Sequence, residues 1–191
     1  AQTHTSLGGM GLVFLAGSVG YTLGTVVSGR VFDRLHGHPV MGIAEIFVAA
    51  MLFLVPLTPW FWVLLVIVVC QGFACGFINT GANTLLVWTH GEKVSPFMNG
   101  LHFFFGLGAF LSPLLVAQVI DISGGYRLAY WTLSAFTLLV GLRMVTLKGS
   151  PQPTHARNGE TARSAGGPLP YPLVISAMLF LFFYVGAEIT F

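Results

Sequence analysis

GFACGFINTGANTLLVWTHGEKVSPFMNGLHFFFGLGAFLSP, residues 72–113, sets polar side chains into the middle of two apolar runs joined by the short loop THGEKVSP. Asn79, Asn83, Asn99 and His102 lie inside the apolar parts. Polar groups are costly in hydrocarbon, so within membrane-spanning segments they face a bundle interior or a water-filled cavity. Gln71, Cys75, Asn79 and Asn83 recur every four residues, which places them on one face of a helix. On the following helix Asn99, His102 and Gly106 also share a face. Gly72, Gly76 and Gly81 thin the first helix and permit close packing.

The rest of the chain has the composition such a seam needs around it. Of 191 residues, 55% are hydrophobic and 7% charged, with a mean hydropathy of +0.83. That is too little charge to cover a water-soluble fold. Several apolar runs reach the roughly 20 residues a helix needs to cross a bilayer. No period-two alternation marks a barrel strand, and open sheets cannot cross a bilayer. The fold class is all-α, a polytopic helical membrane protein, set in the lipid bilayer and read as a monomer. Cys70 and Cys75 fall on different helix faces, so neither a disulfide nor a metal-binding pattern is expected. The formal charge of +2 comes without a dense basic cluster, so no nucleic-acid partner is expected. With no nucleophile–base pair and no metal constellation, the chain reads as no enzyme and as having no cofactor.

Taken in order, the expected spans cover residues 7–31, 39–57, 60–88, 97–120, 128–147 and 171–191. No basic region or cleavage site precedes the first, which therefore does not read as a signal peptide. Gly20, Gly24 and Ser28 follow the small-xxx-small spacing that brings helices together. Pro39 opens the second span and Pro113 is a bend in the fourth, the freed backbone being served by neighbouring helices. Residues 148–170 are rich in Pro, Gly and small polar residues and read as a linker. Loops after the first, third and fifth spans hold Arg30, Arg34, Lys93, Arg143, Lys148, Arg157 and Arg163, against Arg127 alone on the other side. That bias makes the Arg-rich side cytoplasmic. Trp60, Trp62, Tyr126, Tyr130 and Trp131 mark one interface, Trp88 and Tyr171 the other.

At the end of the first span Gly29, Asp33 and Arg34 form G-x-x-x-D-R. This resembles the loop motif between the second and third helices of the major facilitator superfamily. Gln71-Gly72 matches part of that family's basic-x-x-Gln-Gly signature, with Val68 at the basic position. Asn79-Thr80-Gly81-Ala82-Asn83 is similar to the helix-four signature of the fucose–proton symporters and related sodium-dependent glucose transporters. His102 ahead of Gly106-Leu107-Gly108-Ala109-Phe110-Leu111-Ser112-Pro113 is similar to helix five of the glucose branch, and Tyr184-Val185-Gly186-Ala187-Glu188 looks like the family's helix-seven start.

The resemblance implies a partial major facilitator fold, six of twelve transmembrane helices, numbers two to seven. Residues 1–147 are then most of the N-terminal six-helix bundle without helix one, 148–170 the cytoplasmic connection between bundles, and 171–191 the first helix of the C-terminal bundle. It implies a secondary active transporter of a hexose-like sugar, multi-pass in the plasma (cell inner) membrane, with Asp33 and Arg34 at a gate. Asn79, Asn83, His102, Gln71 and Asn99 are the candidate substrate contacts, because a carboxamide both donates and accepts hydrogen bonds, as a sugar requires. Asn79 and Asn83 could instead bond neighbouring helices, and His102 could be a buried, hydrogen-bonded imidazole. Gly20, Gly24, Gly29, Gly72, Gly76, Gly108 and Pro113 are the candidate structural positions.

Asn79 stands where relatives have an acid, and Asn cannot titrate. Glu188, deep in the last apolar run, is the other candidate for coupling or gating: it could carry a proton, hold sodium, or pair with a cation of the other bundle. Glu45 is expected near the cytoplasmic end of its helix, as a partner of Arg30 or Arg34. Gly108-x-x-x-Ser112-Pro113 also resembles a motif of drug–proton antiporters, so drug efflux stays open beside sugar transport, as does a non-transporting membrane receptor.

Overall fold

The computed structural model describes residues 7–147, all within one compact unit, Ala1–Pro153. The expected linker, the last span and Glu188 lie outside the described residues. Those described form α1 (Leu7–Phe32), α2 (Gly37–Leu54) with a 3-10 turn at Val55–Leu57, α3 (Phe61–His90) with a 3-10 turn at Gly91–Lys93, α4 (Ser95–Ser123) and α5 (Tyr126–Thr146). Among the described residues, five helices are long and apolar enough to cross a membrane. Helices suit that role because they satisfy every backbone N–H and C=O within the segment.

The ends differ from the expected spans by a few residues, for identifiable reasons. α3 continues past Trp88 because Thr89 Oγ1 donates to the Leu85 carbonyl at 2.6 Å and His90 Nδ1 lies 3.2 Å from that of Leu86. The polar side chains of the loop thus bond back into the helix instead of out of it. α4 begins ahead of Pro96, since a proline in the first turn forfeits no helix hydrogen bond. Gly124, at φ 67°, ends α4 in the left-handed conformation, and its N–H reaches the Ile120 carbonyl at 2.8 Å. α4 runs on through Pro113.

Packing is dominated by pairs that are not neighbours in sequence. α1 lies along α3, and α2 sits between α3 and α5. A Cβ on Gly20 would collide with the Val69 carbonyl, and one on Gly24 with that of Phe73. Conversely, a Cβ on Gly72 would strike the Gly17 carbonyl and one on Gly76 that of Tyr21. The contacts advance together along both helices, so α1 and α3 run parallel, backbone against backbone, as small-residue faces permit. Ser28, the next small residue of the α1 stripe, is fully buried.

The α2–α5 pair is antiparallel and built the same way. Gly42 faces Gly141 and Val145, Gly141 faces Glu45 and Ile46, and Ser134 Oγ donates to the Ala49 carbonyl at 2.7 Å. Gly42 and Ala49 are spaced by two turns, as are Ser134 and Gly141, so the two small-residue stripes match in opposite directions.

Buried apolar contact concentrates in two places. Phe32, Met41 and Leu85 pack with Val40, Phe77, Ile78, Ala82, Trp88 and Met144 around them. Ala44, Val48 and Ala74 form a second cluster with Leu52 and Cys75 beside it. α4 packs chiefly against α5 and buries no residue. Large apolar side chains such as Phe14, Trp62, Phe105 and Phe136 point outward, as lipid-facing positions do.

Candidate functional site

The polar face of α3 is only partly lined up toward one environment. Gln71 and Asn83 are half-buried, Asn79 is exposed, and Cys75 turns into the core cluster formed by Ala44, Val48 and Ala74. Asn83 Nδ2 donates to the Asn79 carbonyl oxygen at 2.8 Å, one turn back on its own helix. Neither Asn therefore bonds a neighbouring helix among the described residues, and the Asn79 carboxamide makes no hydrogen bond there. Donors and acceptors in this state are costly in hydrocarbon and suited to an aqueous or polar occupant. The glycines set the orientation: Gly72 and Gly76 dock on α1, and Gly81 fits beneath Phe32 and Met41, where a Cβ would lie 2.8 Å from the Met41 Cγ.

On α4, Asn99 and His102 are both exposed, as are Phe103, Phe104 and Phe105. His102 is thus not a buried imidazole among the described residues. The α3–α4 turn is fastened by His90, which stacks on Phe97 with centroids 3.6 Å apart. Beyond that the two helices share little contact. The described residues therefore place Asn79 and Asn83 on one helix and Asn99 and His102 on the next without closing them into one pocket. Among the described residues, concavities lie elsewhere. One, of about 310 Å³, is lined by Ser123, Gly125, Tyr126, Arg127, Leu128 and Trp131. Another, of about 360 Å³, is apolar and lies between α1, α2 and α3 against Phe47, Phe73 and Phe77.

Asp33 and Arg34 are exposed at the end of α1. The Asp33 N–H reaches the Gly29 carbonyl at 3.1 Å, and the Arg34 and Leu35 N–H groups both reach that of Val31. The motif thus ends the helix through its own backbone and leaves both charged side chains outward. Gly29 and Gly108 have open space where a side chain would stand.

Glu45 differs from its expected place. It sits at the middle of the 18-residue α2, not near an end, and is half-buried. Arg30 and Arg34 belong to the far end of α1, and no cation pairs with Glu45 among the described residues. Counting along the helix from Gly37 would have put it there, since each residue adds about 1.5 Å. Also missed in the sequence are Gly42, Gly141 and Ser134, which hold α2 to α5. Their two-turn spacing was the available signal, but it is longer than the four-residue pattern and easily passed over.

Comparison with protein families matches residues 1–191 to the Major Facilitator Superfamily. Among curated proteins the whole chain is 27% identical to Sodium-dependent glucose transporter 1 of Xenopus laevis, covering 44% of that protein. It is 29% identical to Sodium-dependent glucose transporter 1A of Mus musculus, covering 52%, and 28% identical to Sodium-dependent glucose transporter 1 of Homo sapiens, covering 43%. The chain thus spans about half the length of the curated relatives it matches. No solved structure gives a significant match.

Proposed function

From the premise that the chain belongs to the major facilitator superfamily, we propose that it forms part of a secondary transporter moving a hexose-like sugar across the plasma membrane by alternating access. The observation that carries this reading is similarity along the entire chain to proteins named as sodium-dependent glucose transporters. The carboxamide of Asn79, without a hydrogen bond among the described residues and one turn from Asn83, supports it. A neutral polyol can meet donors and acceptors together, and such a site sits near the bilayer midplane in transporters of this kind.

In this reading Gln71, Asn79 and Asn83 contact the sugar from α3, and Asn99 and His102 from α4. The second bundle supplies the opposite wall. Asp33 and Arg34 form a gate where bundles meet, and Glu188 takes part in coupling to a proton or sodium gradient. Residues 148–170 join the two bundles, and the protein acts as a monomer.

Radiolabelled hexose uptake by the full-length protein in liposomes tests the assignment. Asn79→Ala and His102→Ala are each expected to cut uptake at least tenfold while leaving the amount of folded protein unchanged. Unaltered uptake in both variants would remove the α3–α4 face from the site.

A further inference from the structure

The six acidic residues of the chain are Asp33, Glu45, Glu92, Asp121, Glu160 and Glu188. Among the described residues Asp33, Glu92 and Asp121 stand at helix ends or turns, and only Glu45 lies at the middle of a span. Its surroundings are set by three helices. From α5, Gly141 comes close enough that an added Cβ would stand 3.0 Å from the Glu45 Cβ. From α3, Cys75 packs against the cluster of Ala44, Val48 and Ala74, the first two of which neighbour Glu45 on α2. From α1, the Tyr21 carbonyl lies against Gly76, the residue after Cys75.

Among the described residues no cation pairs with this group from any packed element. The nearest charged residue of α5 in sequence is Arg143, whose guanidinium donates to Thr146 Oγ1 at 3.3 Å. Other titratable groups of α3 are Cys70, more than a turn away, and His90, which stacks on Phe97. His38, on α2 itself, is two turns distant.

A carboxylate held at mid-membrane depth without a cation is expensive, whereas the neutral acid is much less so. Sodium is a poor substitute for the proton here. Coupling sodium sites draw on carbonyls freed where a helix unwinds, yet α2 and α3 are both unbroken at this level. The cluster beside it consists of Ala44, Val48, Ala74, Leu52, Cys75, Phe77 and Ile78, a thiol and hydrocarbon. We propose that Glu45 is a proton-carrying carboxyl of this bundle, binding and releasing H⁺ at the junction of α2, α3 and α5. Its use in coupling rests on the transport reading above; its titration does not.

Two experiments on the full-length protein separate these claims. Wild-type protein is treated with a hydrophobic carbodiimide, which modifies protonated carboxyls in apolar surroundings, across a pH series, and the label is mapped by mass spectrometry. Labelling of Glu45 is expected at acidic pH and should fall at least tenfold as pH rises. No labelling of Glu45 at any pH at which the protein is folded, or labelling independent of pH, overturns the proposal. Such a result means a permanent ion pair or a permanently neutral acid. In liposomes Glu45→Gln is expected to retain sugar exchange but lose accumulation driven by a pH gradient, the inside-to-outside ratio falling to one. Accumulation equal to wild type overturns the coupling role. If the wild-type protein shows no sugar exchange while the carbodiimide pattern persists, the transport reading fails and the proton site stands.

Discussion

Ser134 and Asn83 show how differently two buried-looking polar residues can be used. The Ser134 hydroxyl reaches across to the Ala49 carbonyl and is buried. That carbonyl is already inside a helix, so removing the hydroxyl leaves no orphaned acceptor. Ser134→Ala is accordingly expected to cost only about 0.6 kcal/mol, the average for interhelical hydrogen bonds in membranes. Denaturant unfolding in mixed micelles measures this, and a loss above about 2 kcal/mol would mean that the hydroxyl has a larger structural role. Asn83, in contrast, spends one donor on its own helix and leaves the rest of its carboxamide for another partner. Its replacement belongs with the uptake measurements, where the expected loss is functional. At this scale the sequence was readable where a polar residue interrupts an apolar run. It was not readable for Glu45, because Arg30 and Arg34 look near in the chain while helix geometry carries them to a different level.

Between elements, the glycines sort into those that set helix separation and those that do not. Gly24 and Gly76 hold α1 and α3 at backbone contact, and a larger side chain at either has nowhere to go without moving a helix. Gly24→Leu is expected to destabilise by about 1–3 kcal/mol or more, in the range for overpacking. Gly108→Ala meets open space and is expected to be neutral or to stabilise by up to about 1 kcal/mol through helix propensity. Thermal unfolding followed by tryptophan fluorescence separates the two. Equal effects would mean that α1 and α3 do not touch along this stripe. The α1 stripe was legible because its residues recur every four positions. The α2–α5 stripe was not, because Gly42, Ala49, Ser134 and Gly141 each look like isolated small residues until the partner helix is known.

For the molecule as a whole, the apolar runs, their lengths and their turns were legible in sequence because the bilayer imposes one simple rule on every span. The closure of the site was not. α3 and α4 each carry a polar face, yet among the described residues the faces do not enclose a cavity, and α4 buries none of its residues. The candidate site is thus open among the described residues, and the curated relatives are about twice as long as this chain. Reconstituted alone, residues 1–191 are expected to give hexose uptake no greater than protein-free liposomes. Uptake that saturates with sugar would show that one bundle suffices.

The pairing of α2 with α5 also has a consequence for how the protein is made. The Ser134–Ala49 bond joins residues 85 apart in the chain, and α1 likewise finds its partner only in α3. At typical synthesis rates of about 5–20 residues per second, α2 waits roughly 4–17 seconds for the helix that covers its Gly42–Ala49 stripe. During that interval Glu45 is already in or near the membrane without Gly141 beside it. Insertion of α2 is thus separated in time from its packing on α5, and a nascent chain halted before Gly141 would leave the α5-facing side of α2, next to its acid, uncovered while α3 is already available to pack on the other side.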